Sequence, residues 1–258
     1  MKKRIVLKVG SHVLSEKNEL CHERISTLCK LLADLIKKYS VILVSSGAVS
    51  AGQSKISLER NSTLNKQILA AIGQPHLMAT YENFLKKFDI KTAQILLDGI
   101  DFDSRKHSTY AKKVVWGLLD LGVLPIINEN DATAIAEIVY GDNDRLSAEA
   151  AICFEAELLV MLSDIDGYYD SNPSENKNAK IRPVVDKIDD FELESSAVKT
   201  GSEHGTGGIT TKLIAAQMVM EHGIDMYLTS GFDLAAARSF LLDDKQISGT
   251  LFVGKKSF

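Results

Sequence analysis

Residues 127–148 read INENDATAIAEIVYGDNDRLSA: Asn128, Glu129, Asn130 and Asp131 form one cluster of amides and carboxylates, and Asp142, Asn143 and Asp144 form a second. Asn, Asp and Gly favour turns because their short side chains bond to nearby backbone, so the two clusters could be solvated turns. They could instead face one pocket. There Asp131 would offer acceptors only, and Asn143 a donor and an acceptor together. Such a pair can read an ammonium and a carboxylate at once, the two charges an amino acid presents. Asp144 could hold two lysines by charge-assisted hydrogen bonds, or the clustered carboxylates could hold Mg²⁺.

Three further stretches carry residues suited to anion chemistry. In LKVGS (7–11), Lys8 interrupts an apolar strand, and Gly10 and Ser11 are expected to free backbone N–H groups. A strand lysine followed by glycine can hold a phosphate, although a lysine snorkelling from an edge strand looks the same. In SSGAVSAG (45–52), small residues lead from a strand into a helix N-terminus, which offers unpaired N–H groups to an anion. A tight packing turn would demand the same small residues. In GTGGITTK (205–212), glycines, hydroxyls and Lys212 precede an amphipathic helix and suit a polyphosphate better than a plain surface loop. It is not a Walker A sequence, because G-x-x-x-x-G-K-[ST] occurs nowhere in the chain. The six histidines are scattered, and none is read as a base; His204 has no evident partner.

These groups need elements to hold them. Apolar runs at 4–9, 41–46, 92–97, 123–128, 158–163 and 225–230 read as buried strands. Helical patterns at 23–38, 63–72, 75–88, 108–121, 145–156 and 210–222 alternate with them, and ISGTLFVG reads as a last strand, antiparallel to its neighbour. This order predicts an α/β fold, a three-layer αβα sandwich around a mostly parallel central sheet. In such sheets ligands bind beyond the carboxyl ends of the strands. The polar stretches fall there, which favours the pocket over the solvated turns. DSNPSENKNAK (170–180) reads as an exposed loop too short to link domains, so a single domain over 1–258 is expected. Segments 63–88, joined through Gly73, Gln74 and Pro75, are apolar on more than one side and suit a subunit interface.

The chain has 258 residues, 45% hydrophobic and 25% charged, with a net charge of −4. No basic field suggests nucleic acid or an anionic membrane. Cys21, Cys29 and Cys153 form no C-x-x-C, which fits a reducing compartment. The N-terminal apolar run is too short for a signal peptide, and no run approaches the roughly 18 residues of a span. A cytoplasmic protein is expected.

LKVGS, VSSGAVSAG, LLAAIGQ, LPIINENDA, YGDNDRLSA, LLVMLSDIDGYY and GTGGITTKLIAA occur in the order seen in glutamate 5-kinases. The chain therefore resembles that branch of the amino-acid kinase family, which also contains acetylglutamate kinase, aspartokinase, carbamate kinase and UMP kinase. The resemblance implies the family's fold and ATP-dependent phosphorylation of the γ-carboxylate of L-glutamate, the first step toward proline. It implies that Lys8 and Lys212 are the catalytic lysines, organised by Asp144. It implies that Ser46, with Gly47 beside it, Asp131 and Asn143 bind glutamate. At the nucleotide it implies Lys8, the pair Ser163 and Asp164, and the loop Thr206, Gly207, Gly208, Ile209, Thr210, Thr211 and Lys212. Ser163 stands where the family carries Thr, which keeps the hydroxyl. The N-terminal part would bind the acceptor and the part from about residue 155 the nucleotide. Mg²⁺ would bridge the phosphates, with no dedicated protein metal site. Proline is implied as a feedback inhibitor, and a homo-oligomer, dimer or tetramer, as the assembly. Many glutamate 5-kinases carry a C-terminal PUA domain, and this sequence is expected to lack one. Rival readings are a kinase of the same fold acting on acetylglutamate, aspartate or UMP, and a non-catalytic nucleotide-binding module.

Overall fold

The computed structural model describes residues 2–133, 143–189 and 208–255. Its centre is a set of apolar strands: β1 (Arg4–Val9), β4 (Ser40–Ser45), β6 (Val123–Glu129), β7 (Leu158–Ser163) and β9 (Asp225–Ser230). β5 (Lys91–Leu97) forms one edge, and β10 (Thr250–Phe252) and β8 (Val184–Val185) the other. The eight strands run in the order β5-β6-β4-β1-β7-β9-β10-β8. Every pairing from β5 to β9 is parallel, and β10 lies antiparallel to β9. Ser15–Glu16 (β2) and Glu19–Leu20 (β3) make a small separate hairpin.

Side chains alternate across a strand, so each face of the sheet builds its own core. Ile5, Leu7 and Val9 pack with helix α2 (His22–Lys38) and the second half of α4 (Thr63–Leu85). Val6, Ile42 and Val44 face the other way, against α6 (Arg105–Asp120), α7 (Asn143–Cys153) and α8 (Ile209–Glu221). The result is the expected αβα sandwich. α9 (Ala235–Leu242) joins the first core through Ala237 and Leu241. The other helices are the short α1 (Ser11–Leu14), α3 (Ala48–Gln53) and α5 (Gly99–Asp103).

Two helical segments were expected between 63 and 88. The chain instead forms one helix of 23 residues with Pro75 inside it. A proline in a helix interior costs about 3 kcal/mol. Leu69, Leu77, Tyr81 and Leu85 are buried along the same helix, and each buried side chain of this size contributes roughly 1.5–3 kcal/mol. Burial therefore outweighs the break. Among the described residues, no helix is long and apolar enough to cross a membrane.

The site follows from the strand order. From β1 the chain moves first to β4 on one side and later to β7 on the other. The carboxyl ends of β4, β1 and β7 therefore flank a crevice, the place where open parallel sheets bind ligands.

Candidate functional site

Strand alternation turns Lys8 off the first core and toward α7 and α8. The Lys8 ammonium pairs with Asp144 Oδ1, while Lys212 Nζ lies 3.2 Å and Thr211 Oγ1 2.8 Å from Asp144 Oδ2. Asp144 sits in the first turn of α7, where the helix dipole favours a carboxylate. Lys212 sits in the first turn of α8, where the dipole opposes it, so Asp144 also compensates that cation. All three groups are more than nine-tenths buried, so water screens them little. Burial would raise the Asp144 carboxyl, but the charges of Lys8 and Lys212, with hydrogen bonds from Lys8 and Thr211, outweigh it and hold it well below the usual carboxylate range. Two ammonium groups thus meet one buried carboxylate near the carboxyl ends of the strands.

Beside this triad the two clusters of the opening sequence meet. Asn143 Nδ2 donates to Asn128 Oδ1 at 2.9 Å and to Ser46 Oγ at 2.7 Å. Asn128 Nδ2 in turn donates to Gln74 Oε1 at 2.9 Å. Asn143 Oδ1 is buried and has no hydrogen-bond partner among the described residues. Asp131 follows β6, and burial pushes its carboxyl up to about 6. Gly47, with φ +111°, makes the left-handed turn that starts α3 and presents Ser46 to the cluster. Asn128 and Asn143 thus join the two clusters beside the triad.

On the other side of β1, Ser163 ends β7, and its hydroxyl donates to Asp164 Oδ1 at 2.9 Å. His12 Nδ1 lies 3.2 Å from Asp164 Oδ2. Burial raises the Asp164 carboxyl, but the Ser163 hydroxyl, the Lys212 charge and His12 outweigh it and keep it low. Gly208 caps α8, and Ile209, Thr210, Thr211 and Lys212 form its first turn. Thr206, Gly207, His204, Asp142 and the segment 134–141 lie outside the described residues. The expected free N–H at Gly10 is not found. Gly10 N donates to Leu162 O at 3.2 Å, because the β1–β7 hydrogen bonding continues one residue past the strand. Among the described residues, no group of three His, Cys, Asp or Glu side chains is arranged to hold a metal ion.

A profile described as the amino acid kinase family matches residues 3–230. The chain belongs to the amino acid kinase family. It is 51% identical over 255 residues to the glutamate 5-kinase of Leishmania donovani, covering 99% of this chain and 97% of that one. It is 50% identical over 256 residues to the glutamate 5-kinase of Wolinella succinogenes, covering 97% and 98%. A longer glutamate 5-kinase, from Carboxydothermus hydrogenoformans, is 40% identical and is matched over 68% of its length. Among solved structures the fold is shared with UMP kinase from Ureaplasma parvum (TM-score 0.62, 17% identity, 98% of this chain and 99% of that one). It is shared too with carbamate kinase from Giardia lamblia bound to AMP-PNP (TM-score 0.66, 14% identity, 98% and 99%).

Within this amino acid kinase, the sequence did not single out Gln74, Gln94 or His12. Gln74 reads as one polar residue in an apolar helix beside a proline, and only its contact with Asn128 reveals its place. His12 had one available signal, its position two residues past Gly10 at the end of β1. The tie from Thr211 to Asp144 also had no sequence signal, since a threonine ahead of a lysine suits phosphate equally well.

Proposed function

We propose that this amino acid kinase transfers the γ-phosphoryl group of ATP to the γ-carboxylate of L-glutamate, giving L-glutamyl 5-phosphate and ADP at the entry to proline biosynthesis. The observation that carries this reading is the buried Lys8–Asp144–Lys212 triad beside an amide cluster in which Asn143 Oδ1 has no partner among the described residues. Its glutamate 5-kinase relatives support the same acceptor. A side-chain carboxylate, with a reference pKa of about 4.3, is already a nucleophile at neutral pH, so no general base is required. Catalysis then reduces to alignment and charge neutralisation. Lys8 and Lys212 stabilise the charge on the transferring group, and Asp144 fixes where both ammonium groups sit. Ser46, Gly47, Asp131 and Asn143 hold glutamate, with Asp131 and Asn143 Oδ1 as acceptors for its ammonium. Lys8, Ser163, Asp164 and the stretch Thr206, Gly207, Gly208, Ile209, Thr210, Thr211 and Lys212 serve the nucleotide.

In this reading the part up to about residue 155 accepts the amino acid, and the part beyond it accepts ATP, as one kinase unit. Asp144 is occupied by its lysines, so Mg²⁺ comes with the nucleotide as its phosphate-bound ion. Leu64, Ile68 and Ile72 stand exposed four residues apart on α4, which supports a homo-oligomer, dimer or tetramer, formed through that helix. Proline shares glutamate's ammonium and α-carboxylate, and inhibition by it should weaken as glutamate rises. The reading also supports a cytoplasmic enzyme.

An ADP-release assay across L-glutamate, N-acetylglutamate, aspartate and UMP tests the acceptor. L-glutamate should be preferred by kcat/KM at least tenfold over each of the others. Equal or greater turnover with N-acetylglutamate would replace this reading with the same-fold rival.

A further inference from the structure

Four side-chain amides form a chain from the edge of the sheet to the crevice. Gln94 stands exposed on β5, and its Oε1 accepts from Gln74 Nε2 at 3.1 Å. Gln74 Oε1 accepts from Asn128 Nδ2, and Asn128 Oδ1 accepts from Asn143 Nδ2, both at 2.9 Å. An amide can be turned over without changing its shape, so its orientation must come from its partners. One partner here has no choice. The backbone N–H of Glu129 can only donate, and it donates to Asn128 Oδ1 at 2.9 Å. Asn128 must therefore show its NH₂ group to Gln74 and its oxygen to Asn143. Asn143 must then spend both of its hydrogens, one on Asn128 and one on Ser46, and its own oxygen is left over.

Gln74 accepts from the Asn128 NH₂ group and so reinforces, at the far end, the polarity that the Glu129 N–H sets. If its acceptor oxygen were lost, the Asn128 NH₂ group would be buried without a partner, and the preferred orientation of Asn128 and Asn143 would weaken. Gln74 is itself held in place. Its neighbour Gly73 packs so closely on α3 that an added Cβ would lie 1.9 Å from Ala48 O and 2.3 Å from Gly52 N. The helix carrying Gln74 is thus fixed against the turn that carries Ser46.

We propose that Gln74 is a positioning residue that keeps Asn128 and Asn143 in one orientation, so that the buried Asn143 oxygen serves as the acceptor for the amino acid's free ammonium. The inference rests on the glutamate reading above and adds the source of its selectivity for an uncapped amine. A site built around a buried acceptor rejects a ligand with no donor to offer it. Glutarate, which is glutamate without its amine, is the matching probe.

The test is the ratio of kcat/KM for L-glutamate to that for glutarate. In Gln74→Met, which keeps the length and removes the acceptor, the ratio should fall about tenfold or more, through KM for glutamate, with KM for ATP unmoved. Gln74→Glu keeps an acceptor toward Asn128 and should hold the ratio near that of the unaltered protein. Gln94→Met, on the exposed edge strand, should lower the ratio in the same direction by about threefold, and it serves if Gln74→Met does not fold. An unchanged ratio in a folded Gln74→Met variant, or in Gln94→Met when that variant does not fold, would overturn the inference. Equal losses in Gln74→Met and Gln74→Glu, or a parallel rise in KM for ATP, would reduce Gln74 to a packing role and overturn it too. If the unaltered protein failed to phosphorylate glutamate, the functional reading would fall instead, which is a separate result.

Discussion

At Asp144 two ammonium groups share one buried carboxylate. Lys8 rises from the sheet and Lys212 from the start of α8, so the carboxylate fixes the spacing of two elements that do not otherwise bring their charges together. Lys212→Ala should leave the substrates bound and lower kcat by ~10²–10³-fold, the usual loss when a charge aimed at the transferring group is removed. Near-normal turnover in a folded variant would take Lys212 out of catalysis. Asp131 gives a pH prediction. Its carboxyl is pushed up to about 6 by burial, so it is ionised at pH 7 and protonates as the pH falls through 6. KM for glutamate should therefore rise about tenfold per unit below pH 6, with KM for ATP flat, and Asp131→Asn should abolish that slope. The stability sign is opposite. A carboxyl with a raised folded pKa favours the folded state at low pH, and that contribution is lost as the pH climbs from about 4 through 6.

At the scale of elements, the crossing of α3 and α4 holds the turn that carries Ser46 against the helix that carries Gln74. A Cβ on Gly52 would lie 2.0 Å from Leu69 O, and one on Gly73 would lie 1.9 Å from Ala48 O, so the two helices touch backbone to backbone. Gly73→Ala must push them apart. Overpacking of this kind costs about 1–3 kcal/mol, and each kcal/mol lowers Tm by roughly 2–4 °C in a chain of this size. Because Ser46 precedes α3 and Gln74 follows Gly73, KM for glutamate should rise more than KM for ATP, which steady-state kinetics on the folded variant would show. The sequence announced the central strands to within a residue or so, since a strand covered on both faces must be apolar throughout, but the run at 92–97, also expected to be buried, is the edge strand β5, with Gln94 exposed and only Leu97 buried. It did not announce Val184–Val185, the Ser15–Leu20 hairpin or the helix at Ala235–Leu242, whose runs are short or weakly patterned. The continuous helix through Pro75 was hidden for another reason. Local chemistry argues for a break there, and only the tertiary burial of Leu77, Tyr81 and Leu85 overrides it.

At the scale of the molecule, the strand order gathers residues more than 200 positions apart into one crevice, Lys8 at one end of the chain and Lys212 near the other. That convergence was legible because each polar stretch follows an apolar strand, and parallel strands end on the same side. The Gln94–Gln74–Asn128–Asn143 amide chain was not legible, because its order comes from a single backbone N–H at Glu129 that no side-chain pattern records. In the proposed reading the sheet supplies a nucleotide side and an amino-acid side around one buried charge cluster, and phosphoryl transfer between them should yield an acyl phosphate on the glutamate side chain. Hydroxylamine traps an acyl phosphate as a hydroxamate, so the product can be read directly. With Mg²⁺, ATP, L-glutamate and hydroxylamine, the protein should form the γ-hydroxamate of glutamate in step with ADP, and Asp144→Asn should lose both together. ADP released without hydroxamate, or hydroxamate formed from N-acetylglutamate and not from glutamate, would contradict transfer to free glutamate by the paired lysines.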